Sequence, residues 1–280
     1  MSAFDPRITL ARAGLAASSL EGILRAERFA ETKPMQLVRP VAAIRSAPDP
    51  TAEQIDQLLF GELFDRVETA DGHVWGQARR DGCVGFVETA ALSSEIRAPT
   101  HWIAALRAFA FETSGVKAPG RGPLSLNALV SIDAEADRFA HAAGLGWIAK
   151  VHLAPMGTSF ADPADVAERF VSTPYLWGGR DSLGLDCSGL IQQALYAGGR
   201  ACPRDSDQQV GLGAPVPPGV PRRGDLVFWL GHVGMMLDAE RLLHANAYHM
   251  AVAIEPLAEA VARIRAAGAG EPTAHRRLGI

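Results

Sequence analysis

Residues 174–195 read PYLWGGRDSLGLDCSGLIQQAL. Up to Asp186 the stretch is irregular and glycine-rich. From Cys187 its apolar residues follow helical spacing, and Gly198-Gly199 closes the run. Asp186 is a good N-cap, so Cys187 opens the predicted helix. There the unpaired N–H groups and the positive end of the dipole favour a thiolate, the nucleophilic form of cysteine. Gly178, Gly179, Gly184, Ser188 and Gly189 are small and let a substrate backbone approach. The same local context also fits a buried helix-start cysteine.

Working outward, Asp162-Pro163 reads as an N-cap with proline at the first helical position. Downstream, residues 225–229, 232–237, 242–245 and 250–254 are strand-like. Helix, helix, then antiparallel sheet defines an α+β domain over residues 158–280. A thiol nucleophile needs a base, and the base needs an orienting group. His232 begins one strand and His244 lies in the next, so a hairpin around Asp238-Ala239-Glu240 sets the imidazoles side by side. Each histidine, taken alone, also reads as a satisfied strand-end residue. Only His244 and His249 approach zinc-ligand spacing and no cysteine pair lies near, so no metal is expected. There is no Walker loop, and Gly178-Gly179 lacks the strand–loop–helix setting of a nucleotide fingerprint.

Upstream, Leu10, Leu15, Leu20, Ile23 and Leu24 suggest a helical arm over residues 1–34. From Met35 short β-rich runs alternate with turn signals such as Asp71-Gly72 and Asp81-Gly82. Two small β modules, 35–97 and 98–157, are the economical reading, each a small barrel or sandwich. The 280 residues are 48% hydrophobic and 21% charged, which excludes a disordered chain. Lys and Arg total 27 against 31 Asp and Glu, a balance that predicts neither a nucleic-acid nor a membrane partner. Three cysteines are too few for a disulfide framework. The opening residues lack secretory character, so a cytoplasmic protein is expected. Nothing in the sequence speaks to oligomeric state.

The string at 174–195, followed by RRGDLVFW, GHVGMML and LLHAN, resembles the NlpC family of papain-like cell-wall peptidases. The resemblance implies that Cys187 is the nucleophile, His232 the general base and then acid, and His244 the group that holds the His232 tautomer. It also implies that Tyr175 and the Cys187 N–H face the oxyanion, and that no cofactor is needed.

Two SH3-like β-barrels before such a domain are similar to the subgroup that cleaves γ-D-glutamyl–diamino acid bonds. The implied substrates are small murein peptides with a free N-terminal L-alanine, released as L-Ala-γ-D-Glu in wall recycling. In that likeness Glu62, in QLLFGELFDRVE, pairs with the substrate ammonium, and Asp186, Ser188, Asp205 and Ser206 surround the same dipeptide. Glu62 also reads as a solvated strand-end carboxylate. Cys83 stands where the subgroup usually has a tyrosine, so a smaller, weaker donor replaces a phenol. Cys202 reads as packing filler. Two rival functions remain: a papain-like amidase or acyltransferase on another bond, and a non-catalytic wall-binding protein.

Overall fold

In the computed structural model, which describes residues 4–217 and 219–279, the segment expected as a helical arm forms strands. Ala11–Arg12 pairs antiparallel with Leu15–Ala17, which runs parallel to Arg28–Ala30. The cause lies at the turn. Gly14 sits at φ 77° between the first two strands, a conformation that suits glycine and breaks a helix. Leu10, Leu15 and Ala17 pack with Trp75 and Val84. Ile23, on the apolar face in the helical reading, is 59% exposed.

The chain divides into two units between Met156 and Gly157. In the first, seven strands run in the order Leu92–Ser93, Lys33–Leu37, Leu63–Ala70, His73–Ala78, Val84–Glu88, Val41–Arg45, Gln54–Leu59. Their core is Leu37, Ile44, Leu58, Phe64, Val74 and Val87. The second module has a five-stranded sheet and a three-stranded one. Neither ladder closes into a barrel among the described residues. In the first module the end strand Leu92–Ser93 is only two residues long and offers too few groups for a second ladder.

The two modules share a core. Leu59 and Phe60 of the first share a core with Ile103, Ala110, Leu124 and Ile148 of the second. The Leu129 N–H donates to the Phe60 carbonyl at 2.8 Å.

The second unit opens with α1 (Pro163–Glu168), capped by Asp162, which accepts the Ala164 N–H. Next come α2 (Cys187–Ala197) and the short α3 (Ser206–Gln209). The sheet order is Ala214–Pro215, Ala274–Arg277, Leu226–Trp229, His232–Met236, Arg241–Asn246, Ala251–Pro256. Four of these strands lie within two residues of their sequence-based positions. Every residue of α2 is buried, as expected of a helix enclosed on all sides. A final helix, α4 (Leu257–Ala266), lays Leu257, Ala260, Val261 and Ile264 on Val227, Trp229, Met236 and Leu242. By the two-residue period of strands, His232, His244 and Glu255 share the sheet face that α4 covers.

Candidate active site

Asp186 is the keystone of the turn at Cys187. Its carboxylate accepts the Gly189 N–H at 2.8 Å, the Gly178 N–H at 2.9 Å and the Ser188 hydroxyl at 3.2 Å. One side chain therefore caps α2 and pins the glycine-rich loop to it. Gly189 is required by that approach, since a Cβ there would meet the Gly179 carbonyl oxygen at 2.2 Å. Arg204 donates to both Asp186 oxygens, at 3.1 and 2.5 Å, and to the Ser188 hydroxyl at 2.8 Å. Gln209 of α3 donates to the Ser188 carbonyl at 3.0 Å, which ties the Asp205-Ser206 segment to the same turn. The structure thus brings Asp186, Ser188, Asp205 and Ser206 to one end of α2. Arg204, which joins them, escaped the sequence reading.

Cys187 is 8% exposed. The N–H groups of Val233 and Ser188 point hydrogen bonds at its sulfur, placing it one residue from His232 along the neighbouring strand. Helix-start position alone favours a thiolate, but burial and then the Asp186 carboxylate outweigh it and push the thiol up to about 12. Tyr175 lies near enough to feel Cys187 and Asp186. Burial first, then these two charges, raises its hydroxyl, which stays a proton donor.

The imidazoles expected side by side meet directly. His232 Nε2 lies 2.8 Å from His244 Nδ1. Burial and the neighbouring His244 bring His232 down to about 3. His244 is fully buried, and burial followed by the Arg263 charge brings it to about 3 as well. Gly234 lets these strands close up: a Cβ there would meet Leu242 Cδ1 at 2.7 Å and His244 Cβ at 3.1 Å. Behind His244, its Nε2 lies 2.7 Å from Glu255 Oε1, and Arg263 of α4 donates to that same oxygen. Sequence reasoning assigned no element beyond residue 254 and so missed both. The signal was present: Leu257, Ala260, Val261 and Ile264 fall at i, i+3, i+4 and i+7.

Ligand atoms of His244, His249 and Glu255 lie within 4.8 Å of one another, the one such trio among the described residues. A cation there would have to displace the Arg263 guanidinium from Glu255.

Glu62 and Cys83 belong to the other unit. Glu62 is 2% exposed, accepts the Leu59 N–H at 2.9 Å and pairs with Arg80 at 2.7 Å. It is a buried ion-pair member rather than a solvated carboxylate. Cys83 is 5% exposed within the first module's core, a packing position rather than an exposed wall. Cys202 is also buried, its sulfur 3.5 Å from the Pro203 carbonyl. None of the three cysteines is in a disulfide among the described residues.

Residues 172–270 match the NlpC/P60 family, and residues 44–92 match the bacterial dipeptidyl-peptidase Sh3 domain. The second unit is thus an NlpC/P60 domain with the papain-like fold, and the first contains a bacterial Sh3 domain. A crystal structure of an NlpC/P60 family protein from Bacillus cereus superposes with a TM-score of 0.73. That match covers 87% of this chain and 99% of that one at 18% identity, a likeness of fold.

Among curated proteins, the gamma-D-glutamyl-L-lysine dipeptidyl-peptidase of Bacillus subtilis is 33% identical over 100 residues, 33% of this chain and 34% of that protein. Dipeptidyl-peptidase 6 of Lysinibacillus sphaericus is 36% identical over 80 residues, 28% of this chain and 29% of that protein. The chain spans about a third of the length of these relatives.

Proposed function

We propose that this protein is a cysteine peptidase hydrolysing the γ-D-glutamyl–diamino acid bond of murein peptides that carry a free N-terminal L-alanine. The observation that carries the reading is Cys187 at the start of α2, its sulfur beside the N–H of Val233, which follows His232 of a buried histidine pair. The combination of an NlpC/P60 domain with a dipeptidyl-peptidase Sh3 domain supports the bond and the dipeptide product. So do the names of the relatives.

The proposed chemistry uses these groups in turn. His232 takes the thiol proton as Cys187 sulfur adds to the γ-carbonyl. The Cys187 N–H and the Tyr175 hydroxyl receive the oxyanion. Collapse breaks the C–N bond, and His232 returns its proton to the leaving amine. Water, deprotonated by His232, then hydrolyses the thioester to L-Ala-γ-D-Glu and restores the thiol. In this reading Glu62 is the carboxylate for the substrate ammonium, as the likeness to the subgroup implies. A cytoplasmic place in wall-peptide recycling belongs to the same proposal, and cell fractionation tests it. No described helix is long and apolar enough to cross a membrane.

The deciding experiment incubates the chain and its Cys187→Ala variant with L-Ala-γ-D-Glu-diaminopimelate and with the lysine counterpart, read by mass spectrometry. L-Ala-γ-D-Glu should appear with the native chain alone. Equal release by the variant overturns the reading. A product joined to an added amine would show acyl transfer instead.

A further inference from the structure

A pair of neutral imidazoles joined by one hydrogen bond has two directions. Either ring can donate to the other, and the two arrangements differ in which His232 nitrogen is left bare. Only one arrangement is productive. With His232 Nε2 turned to His244, the remaining nitrogen that can accept the Cys187 proton is Nδ1, so Nε2 must carry the hydrogen. The pair alone does not enforce this.

We infer that Glu255, held by Arg263, is a positioning residue that fixes the direction of the whole proton chain. Arg263 can only donate, and it donates to Glu255 Oε1, so that oxygen is an acceptor. His244 Nε2 lies 2.7 Å from the same oxygen and must therefore bring the hydrogen. His244 Nδ1 is then bare. It can only accept, and it accepts from His232 Nε2 at 2.8 Å. His232 Nδ1 is left bare as the base. When it takes the thiol proton, the new imidazolium keeps its Nε2–H on His244, and the hydrogen bond from His244 to Glu255 is unchanged. No proton passes beyond His232.

The architecture anchors the far end of this chain firmly. Glu255 lies opposite Leu242 in the strand ladder, and His244 lies opposite Ala253. Arg263 stacks on the Tyr248 ring at 4.3 Å. Three strands and α4 thus converge on one orientation, which a hydrogen-bonded carboxylate secures as orienters of histidine do elsewhere.

The inference rests on the reading of Cys187 and His232 as nucleophile and base, but its test needs no substrate. Failure to cleave wall peptides and failure of the orientation are therefore read separately. In the full chain, nitrogen-15 NMR of the histidines should show His232 and His244 both carrying hydrogen on Nε2. Glu255→Gln is isosteric, but its amide can either accept or donate, so the opposite tautomer should become populated in both rings. Alkylation of Cys187 by iodoacetamide, followed on its own peptide by mass spectrometry, should slow on the order of 10- to 100-fold. Glu255→Met removes the acceptor and leaves the Arg263 donor beside His244, so it should also populate the opposite tautomer, and it serves if Glu255→Gln folds poorly. The inference is overturned if native His244 carries its hydrogen on Nδ1. It is equally overturned if folded Glu255→Gln or Glu255→Met keeps the native tautomers and the native alkylation rate.

Discussion

Arg204 reaches the Asp186 carboxylate at 2.5 Å with both side chains buried, 4% and 8% exposed. Asp186 carries a charge in the interior because it caps α2, and Arg204 offsets that charge. Removing one partner of such a pair leaves an uncompensated ion, at a cost of about 3–5 kcal/mol. Arg204→Met should lose that much stability in urea denaturation. Asp186→Asn in the same chain should recover part of it, because the amide oxygen still accepts the Gly189 N–H. An unchanged midpoint in Arg204→Met would show that the pair contributes nothing.

Cys187 should respond to pH as a buried thiol. With Cys187 pushed up to about 12, only a small thiolate fraction exists near neutrality. Iodoacetamide alkylation of Cys187 should therefore climb steadily from pH 7 to pH 10 without a plateau. A rate already flat at pH 6 would mean a standing thiolate–imidazolium pair instead.

What the sequence made legible follows from which signals are local. Asp186 before Cys187, and strand-period runs around His232 and His244, are readable because capping and alternation act over a few residues. Arg204 is 18 positions from Asp186 and Arg263 is 8 from Glu255, in a different element. Neither sits at a spacing that a local rule inspects. The first unit failed differently. Leu10, Leu15 and Leu20 mimic a helical stripe, but Gly14 at positive φ breaks it, and burial against Trp75 decides for strands. The small modules read as two because each repeats the same texture of short strand-like runs and turn signals. Their shared core runs through Leu59 and Phe60, which sequence spacing assigns to one module only.

The buried histidine pair gives stability a defined pH dependence. His232 and His244 titrate near 3 in the folded state, against 6.5 in a model peptide. Below pH 6.5 the unfolded chain binds protons that the folded chain refuses, so stability falls as pH falls. Above 6.5 the two contribute no pH dependence. At pH 5 the loss should be about 2 kcal/mol for each histidine. Between pH 6.5 and 5 few carboxylates titrate in either state, so the slope there belongs chiefly to histidines. Calorimetry of the full chain should show this decline, and His244→Asn should reduce its slope by about one proton. An unchanged slope in that variant would remove His244 from the account.

The part given to Glu62 has a sharper consequence once its surroundings are known. Arg80 lies 2.7 Å from it, so its charge is largely offset within its own unit. A substrate ammonium would meet an ion pair rather than a bare carboxylate, and the attraction is correspondingly modest. Glu62→Gln keeps an acceptor for the Leu59 N–H and removes only the charge. Its KM for L-Ala-γ-D-Glu-diaminopimelate should rise about tenfold, equivalent to roughly 1.4 kcal/mol, with kcat little changed. The N-acetylated peptide, which has no ammonium to lose, should be a poor substrate for the native chain and no worse for the variant. If native protein cleaves the free and acetylated peptides equally well, Glu62 has no part in recognising the amine, and its pairing with Arg80 is purely structural.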